Sequence, residues 1–329
     1  LGFTCGRVLI PYFRKLKTGK LELYIGDRFK KDGSEPLFGG VVVALPLIIG
    51  AVLCIGTANR DISFENDGSS KYIAVVIFSL ILMALGLVED YLKDVKKANV
   101  GLKLRTKFVL EYAVCLGFLL WLKGFCGEGI TEILLPFRLG YVDFKALYYP
   151  LMALGITFTV NAVKVHDCIG SDTKSGADGL CALSVMICSL FFAVYGSIVS
   201  DSYLSSFGYA FAAAVAGLFV WSISPSKIYL GNSGGLLLGG MVSGIAVASN
   251  LHLLVLMAGL SFFADWVCCA VQYIVYRKSK KLIFKGNSLH AHFKAKGFSD
   301  YKIMLIFSCI GIAGGLAGVA FAVYSIKIM

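Results

Sequence analysis

Long apolar stretches recur along the chain, separated by polar loops. A helix needs about 20 apolar residues to cross the hydrocarbon core of a bilayer, and about 17 can suffice. Nine stretches meet this length: 37–58, 72–88, 107–123, 146–163, 179–199, 204–223, 234–250, 252–276 and 302–326. The shorter opening stretch, LGFTCGRVLIPYF, is interpreted as the end of a further span, because it lacks the basic start and cleavage site of a signal peptide. The pattern predicts about ten transmembrane helices in a single all-α domain over residues 1–329.

The positions of the basic residues predict the orientation of these spans. Of the 31 Lys and Arg residues, 24 fall in the loops that follow the odd-numbered spans or at the ends of those loops. Basic residues are enriched in cytoplasmic loops. We therefore expect these loops to face the cytoplasm and both termini to lie outside.

Composition supports the membrane assignment and excludes two other classes of protein. The chain is 57% hydrophobic and only 16% charged, whereas soluble domains are about 45–50% apolar and about 25% charged. It is also too hydrophobic to be intrinsically disordered. The net charge of +11 is explained by the cytoplasmic loops, so we expect no nucleic-acid partner. The ten cysteines form no CxxC pair and lie mostly in apolar runs, which is typical of small buried residues.

Most of the distinctive polar residues fall in the loops predicted to face the cytoplasm. They form four clusters: Glu89 and Asp90; the segment NAVKVHDCIGSDTKSGADGL with Asn161, Lys164, His166, Asp167 and Asp178; GNSGG with Gly231, Asn232 and Ser233; and His290 with His292. Four clusters on one face indicate a single site there. A transport pathway would place ionisable groups deeper in the membrane, and Asp265 is the one candidate at such a depth.

Each cluster also has a simpler interpretation. Glu89 and Asp90 either bind a divalent ion together with a phosphate, or form a solvated helix end paired with nearby lysines. The GNSGG segment either presents backbone N–H groups to an anion or packs a glycine-rich helix closely against a neighbour. The His290–His292 pair offers too few ligands for zinc and suits phosphate contact or proton transfer instead.

The four clusters resemble the motifs of the polyprenyl-phosphate N-acetylhexosamine-1-phosphate transferase superfamily, most closely its muramoyl-pentapeptide branch. GLVEDYLKDVKKANVGL resembles the family's Asp-Asp-Tyr-Leu-Lys segment. NAV at 161–163 and DGL at 178–180 resemble the two ends of Asn-Ala-Val-Asn-Leu-Thr-Asp-Gly-Leu-Asp-Gly-Leu. IYLGNSGGLLLGG resembles Phe-Met-Gly-Asp-Val-Gly-Ser-Leu-Ala-Leu-Gly-Gly, and SLHAHFKAKGF resembles a segment with a His triplet. The resemblance extends from about residue 10 to residue 325.

The resemblance implies an Mg²⁺-dependent transferase with a cytoplasm-facing groove in the bacterial plasma membrane. A phospho-amino-sugar, in this branch phospho-MurNAc-pentapeptide, moves from a UDP-sugar to undecaprenyl phosphate and UMP is released, as in lipid I synthesis for peptidoglycan. The implied partners are this donor, the polyprenyl acceptor, membrane lipid and a second copy of the chain. The implied site residues are Glu89, Asp90, Asp167, His290 and His292 as catalytic groups, Asn232 and Asp90 as metal ligands, and Lys96, Lys97, Asn161, Lys164, Asp178, Gly231 and Ser233 as substrate contacts.

The chain departs from the family motifs at several positions. Glu89 replaces the first Asp, Lys164 replaces the second Asn of the central motif, and Asn232 replaces the Asp expected to bind the metal. Ala291 stands in place of the middle His, and an insertion separates Asp167 from Asp178. Together these changes make the site more positive, so we expect weaker Mg²⁺ binding. A relative that binds a lipid phosphate or nucleotide without turnover is the alternative, and a transporter is a lesser one.

Overall fold

The fold is a bundle of helices with one small β-hairpin. The structure is a computed structural model that describes residues 1–15, 38–58, 68–94, 104–126, 130–134, 141–167 and 179–326. The helices within these ranges are α1 Gly2–Lys15, α2 Gly39–Ala58, α3 Ser69–Asp94, α4 Leu104–Cys126, α5 Tyr148–His166, α6 Leu180–Ile198, α7 Ser202–Ser222, α8 Gly231–Ala248, α9 His252–Ala258, α10 Leu260–Ser279, α11 Leu289–Ala295 and α12 Asp300–Ile326.

The predicted all-α, polytopic membrane architecture is confirmed. In the described ranges, α3, α5, α6, α7, α8 and α12 are long and apolar enough to cross a membrane, and α9 with α10 forms a bent seventh candidate. α2 and α4 lie where further spans were predicted. The total of ten is not confirmed, because the apolar part of α2 covers only Gly39–Cys54 and α4 carries Arg105, Lys107 and Glu111 in its first half.

The predicted span 252–276 consists of two helices in the structure. The chain breaks between α9 and α10, and their axes differ by 75°. Gly259 occupies the break, and a Cβ atom there would lie 2.2 Å from the ring of Phe262. The carbonyl oxygen of Val255, 2.6 Å from that Cβ position, and the Phe262 ring therefore leave little room for a side chain at the bend.

A short β-hairpin lies between α4 and α5. Strand β1 (Glu132–Leu134) pairs antiparallel with β2 (Tyr141–Asp143). Asp143 closes the hairpin by accepting hydrogen bonds from the Thr131 hydroxyl at 2.5 Å and the Lys145 backbone N–H at 2.8 Å. These bonds favour the charged carboxylate and lower the pKa of Asp143.

Helix α8 is the central element of the bundle. It packs against α2, α3 and α5, and all its residues from Ser233 to Ala248 are buried. Its glycines allow close backbone contact: a Cβ on Gly239 would lie 2.7 Å from the Cα of Val160 in α5. The close-packing interpretation of the glycine-rich segment is confirmed, and it accounts for the high glycine content of this helix.

We expect Gly239→Ala to lower the thermal stability of the purified protein in detergent. The added methyl group would push α8 away from α5, and such overpacking costs typically 1–3 kcal/mol. Gly117→Ala in α4 is the matched control, because a Cβ there meets nothing within 4 Å. Equal melting temperatures for both variants would contradict the close contact between α5 and α8.

Candidate active site

The ends of several helices meet at one end of the bundle. Helices α3 and α5 finish there, while α4 and α8 begin there. Helices α10 and α11 contact the last turn of α5 through Asp265 and His290. Residues from all four polar clusters therefore lie at this end. The structure brings together groups that are up to 143 residues apart in sequence.

Asp90 is bound to the N-terminus of α8. Its Oδ1 atom accepts hydrogen bonds from the backbone N–H of Asn232 at 3.1 Å and from the Asn232 side-chain amide at 2.7 Å. Its Oδ2 atom accepts from the backbone N–H of Ser233 at 2.9 Å. A carboxylate is favourable at a helix N-terminus because the exposed N–H groups carry partial positive charge. The anion at this helix start is thus the protein's own Asp90, which is only 1% exposed.

Two glycines make this contact between α3 and α8 geometrically feasible. Gly231, the first residue of α8, has a φ of 68°, a backbone conformation that residues with a side chain rarely adopt. Gly86 lies one turn before Asp90, and a Cβ there would come within 2.6 Å of the Cα of Ser233. The two helices can therefore approach closely enough for Asp90 to reach the N–H groups of α8.

Glu89 forms ion pairs with two lysines. Lys107, in the first turn of α4, contacts its Oε2 atom, and the Nζ atom of Lys164 lies 3.7 Å from the same oxygen. Glu89 is 5% exposed, so these cations balance a buried charge. The Lys164 side chain is 22% exposed, so it is less buried than Glu89.

The motif-based interpretation missed Lys107 and Glu111. Lys107 was counted among the loop residues, although it is buried inside α4. Glu111, one turn further along, lies 3.8 Å from Lys107 and accepts a 2.6 Å hydrogen bond from the side chain of Asn161. The signal in the sequence was a single carboxylate within the apolar stretch 107–123. A small pocket lies between Glu89, Lys107 and Glu111, with Leu85, Leu110 and Leu236 completing its wall.

The arrangement around Asp90 does not fit a magnesium ion. Magnesium prefers six oxygen ligands in octahedral geometry. Asn232 instead turns its amide N–H toward Asp90, and Glu89 is paired with Lys107 and Lys164. The two lysines and the Asn232 amide thus already satisfy the carboxylates that a metal ion would bind. The dependence on magnesium stays a prediction.

A second cluster surrounds Asp265 in α10. The Nδ1 atom of His166 lies 2.5 Å from the Asp265 Oδ2 atom, and the Nδ1 atom of His290 lies 2.7 Å from the same oxygen. All three side chains are almost completely buried. The sequence singled out Asp265 as a deep ionisable group but did not predict its partners. Because both imidazoles face it, Asp265 belongs to an internal cluster of three titratable side chains.

The two predicted histidines have different environments. His290 is 2% exposed and faces Asp265. His292 is half-buried, and its Nδ1 atom accepts a 3.1 Å hydrogen bond from the backbone N–H of Lys285. Partial burial, with Lys296 and Lys285 nearby, lowers the pKa of His292. The neutral ring then carries its proton on Nε2, where it can donate to a phosphate oxygen.

The remaining predicted residues are only partly accounted for. Asp167 ends α5 and is half-buried, three residues after Lys164, which turns toward Glu89. Lys96, Lys97 and Asp178 lie outside the described residues. The structure therefore gathers Glu89, Asp90, Asn161, Lys164, Asn232 and Ser233 around the junction of α3, α4, α5 and α8. Their individual roles toward substrate stay predictions.

The fold is that of a polytopic membrane protein, with charged and amide side chains gathered at the junction of α3, α4, α5 and α8. Residues 72–250 match the family described as glycosyl transferase family 4, and the chain belongs to this family. A protein named phospho-N-acetylmuramoyl-pentapeptide-transferase from Carboxydothermus hydrogenoformans is 31% identical over 314 residues, covering 93% of this chain and 90% of the relative. Proteins of the same name from Caldicellulosiruptor bescii (30%, covering 91% and 87%) and Staphylococcus carnosus (25%, covering 96% and 94%) are also similar.

Proposed function

We propose that the protein transfers a phospho-amino-sugar, phospho-MurNAc-pentapeptide, from a UDP-sugar to undecaprenyl phosphate. A phosphate oxygen of the acceptor attacks the β-phosphorus of the donor. The bond to the UMP oxygen breaks, UMP leaves, and a lipid-linked diphosphate sugar remains. The observation that carries this proposal is the junction of Glu89, Lys164 and the Asp90-bound start of α8. The name shared by relatives that align over about nine-tenths of the chain supports it.

The residues at the junction supply what two phosphate-bearing substrates require. Both substrates are anionic, so positive groups have to offset their repulsion as they approach. Lys164 is partly exposed and is held beside Glu89, which directs its ammonium group toward this end of the bundle. Asp90 keeps the N-terminus of α8 in place, and His292 offers an Nε2 proton to a phosphate oxygen. In this proposal the lysines take over part of the neutralisation, so the requirement for Mg²⁺ is weak.

The location of the protein is part of the proposal. A polyprenyl phosphate moves in the plane of the membrane, whereas a UDP-sugar arrives from the cytosol, so both can meet only at the cytoplasmic surface. The excess of basic residues in the loops at this end supports that orientation. We accordingly propose a bacterial plasma-membrane protein with its site on the cytoplasmic side, both termini outside and a homodimeric assembly.

The test is release of UMP by purified protein in detergent. We expect UMP from UDP-MurNAc-pentapeptide only when undecaprenyl phosphate is present, and much less from UDP-GlcNAc. Lys164→Gln should slow this release because it removes the exposed cation, while Lys227→Gln, an exposed lysine between α7 and α8, should not. Binding of UMP without release from any UDP-amino-sugar would replace the transferase proposal with the non-catalytic alternative.

A further inference from the structure

Asp265 connects three other helices to α10. Its Oδ1 atom accepts a 3.0 Å hydrogen bond from the backbone N–H of His290, while its Oδ2 atom faces the Nδ1 atoms of both His290 and His166. The Nε2 atom of His166 lies 2.9 Å from the Ser184 hydroxyl in α6. One buried carboxylate thus holds the end of α5 and the start of α11 against α10, with α6 attached through His166.

These hydrogen bonds fix the position of a very short helix. Helix α11 has seven residues, too few to be stable alone. Its first turn is held by Asp265 through the backbone and ring of His290, and the hydroxyl of Ser288 caps it by accepting from Ala291 N–H at 3.3 Å. In the described part of the chain, the only basic side chains that contact Asp265 are the two imidazoles.

The same helix carries His292, the histidine that remains accessible. His292 lies two residues after His290, and its ring is oriented by the N–H of Lys285. Because α11 is anchored at one residue by Asp265, release of that anchor would change where the Nε2 proton of His292 points. Asp265 has no exposed surface of its own, so it can act on a substrate only through another residue.

We propose that Asp265 is a positioning residue. It holds α11 through His290, is itself held by His166, and thereby keeps His292 oriented with its Nε2–H toward a substrate phosphate. This inference rests on the proposed function for its consequence in turnover. Its structural part concerns the tautomer and orientation of His292 and does not depend on turnover. His166 stands where the family motif has Thr, so the contact between His166 and Asp265 is a departure of this chain from that motif.

The contact distances favour hydrogen bonds over a bound metal. The three ligand-type atoms of His166, Asp265 and His290 lie within 4.8 Å of one another. Ligand atoms around a tetrahedral zinc with bonds of about 2.0–2.1 Å are about 3.3 Å apart. The two nitrogen–oxygen distances here, 2.5 and 2.7 Å, are shorter and suit direct hydrogen bonds. One equivalent of zinc retained by the purified protein, and lost in His166→Thr, would overturn the proposal.

The first test is imidazole NMR on protein labelled with ¹⁵N-histidine. The chain has four histidines, so each can be assigned from single variants. We expect His292 to show an unprotonated Nδ1 and a protonated Nε2 in the unmodified protein, and a mixture of tautomers in Asp265→Asn. Asp143→Asn, in the hairpin at the far end of α5, is the matched control and should leave His292 unchanged.

The His292 spectrum of Asp265→Asn decides whether Asp265 orients His292. An identical His292 spectrum in Asp265→Asn and the unmodified protein would overturn the proposal. If Asp265→Asn does not fold, His166→Thr is the deciding variant, because it removes the contact with Asp265 from α5 and keeps the hydrogen bond between His290 N–H and Asp265. We expect a smaller shift of His292 in the same direction. This test gives a result even if the protein releases no UMP, a failure that would count against the proposed function alone.

The second test is a double-mutant cycle on turnover. Asp265→Asn and His292→Ala should each lower kcat on the order of 10- to 100-fold, with little change in KM for the UDP-sugar, because misplaced catalytic groups mainly affect the chemical step. The double variant should be no slower than His292→Ala alone. Multiplication of the two losses would show that Asp265 does not act through His292 and would overturn the proposal.

Discussion

The double variant Lys164→Asn/Asn232→Asp is expected to make UMP release strongly dependent on magnesium. The change removes one of the two cations beside Glu89 and adds a carboxylate beside Asp90, so three acidic groups lie at the junction with Lys107 as the remaining cation beside Glu89. Such a set suits a hard divalent ion. We expect half-maximal UMP release at an Mg²⁺ concentration about 10- to 100-fold lower than for the unmodified protein.

A second measurement on the same variant does not need turnover. Without Mg²⁺, Asp90 and the new carboxylate should repel each other, so the melting temperature in a chelator should fall and should recover when Mg²⁺ is added. Lys227→Asn changes the net charge by the same amount as Lys164→Asn and should show neither effect. Unchanged magnesium dependence in the double variant would mean that Lys164 and Asn232 do not neutralise the acidic pair.

Replacement of Lys107 by Met is expected to give the largest loss of stability among substitutions at the junction. Lys107 is buried between Glu89 and Glu111, and its removal leaves both carboxylates with less positive charge nearby. Breaking a buried ion pair by removing one partner costs about 3–5 kcal/mol. We expect a markedly lower melting temperature in detergent and a lower yield of folded protein.

The control for this prediction lies on the same helix. Lys123 is in the last turn of α4 and is exposed, so Lys123→Met should change stability little. Adding Glu111→Gln to Lys107→Met should recover part of the loss, because one uncompensated carboxylate is then removed. If Lys107→Met melts at the same temperature as Lys123→Met, the buried network does not stabilise the fold.

The sequence predicted the helices better than it predicted their contacts. Apolar stretches of sufficient length identified the helical architecture, because membrane helices satisfy their own backbone hydrogen bonds and show a clear hydropathy signal. The bend at Gly259 was not predicted, since the hydropathy of 252–276 is continuous across it. A glycine in an apolar run can serve packing or bending, and only the position of Phe262 distinguishes the two.

The partners of the charged residues were the least predictable feature. Lys107 was counted with the loop residues because it borders a basic segment, yet the first turn of α4 carries it inward to Glu89. The separation of 99 residues between His166 and Asp265 gave no indication that they meet. The motifs indicated that the clusters share one face, whereas the pairing depends on helix rotations that hydropathy does not determine.

The last turn of α5 serves both charged clusters at once. Lys164 points to Glu89 on one side, and His166, two residues later, points to Asp265 on the other. Each residue added to a helix rotates the remainder of that helix by about 100°. An insertion or deletion of one residue in the second half of α5 would therefore disconnect both clusters together. The contacts with Glu89 and Asp265 together fix the spacing between these two side chains. The last turn of α5 can therefore tolerate substitutions but not insertions or deletions.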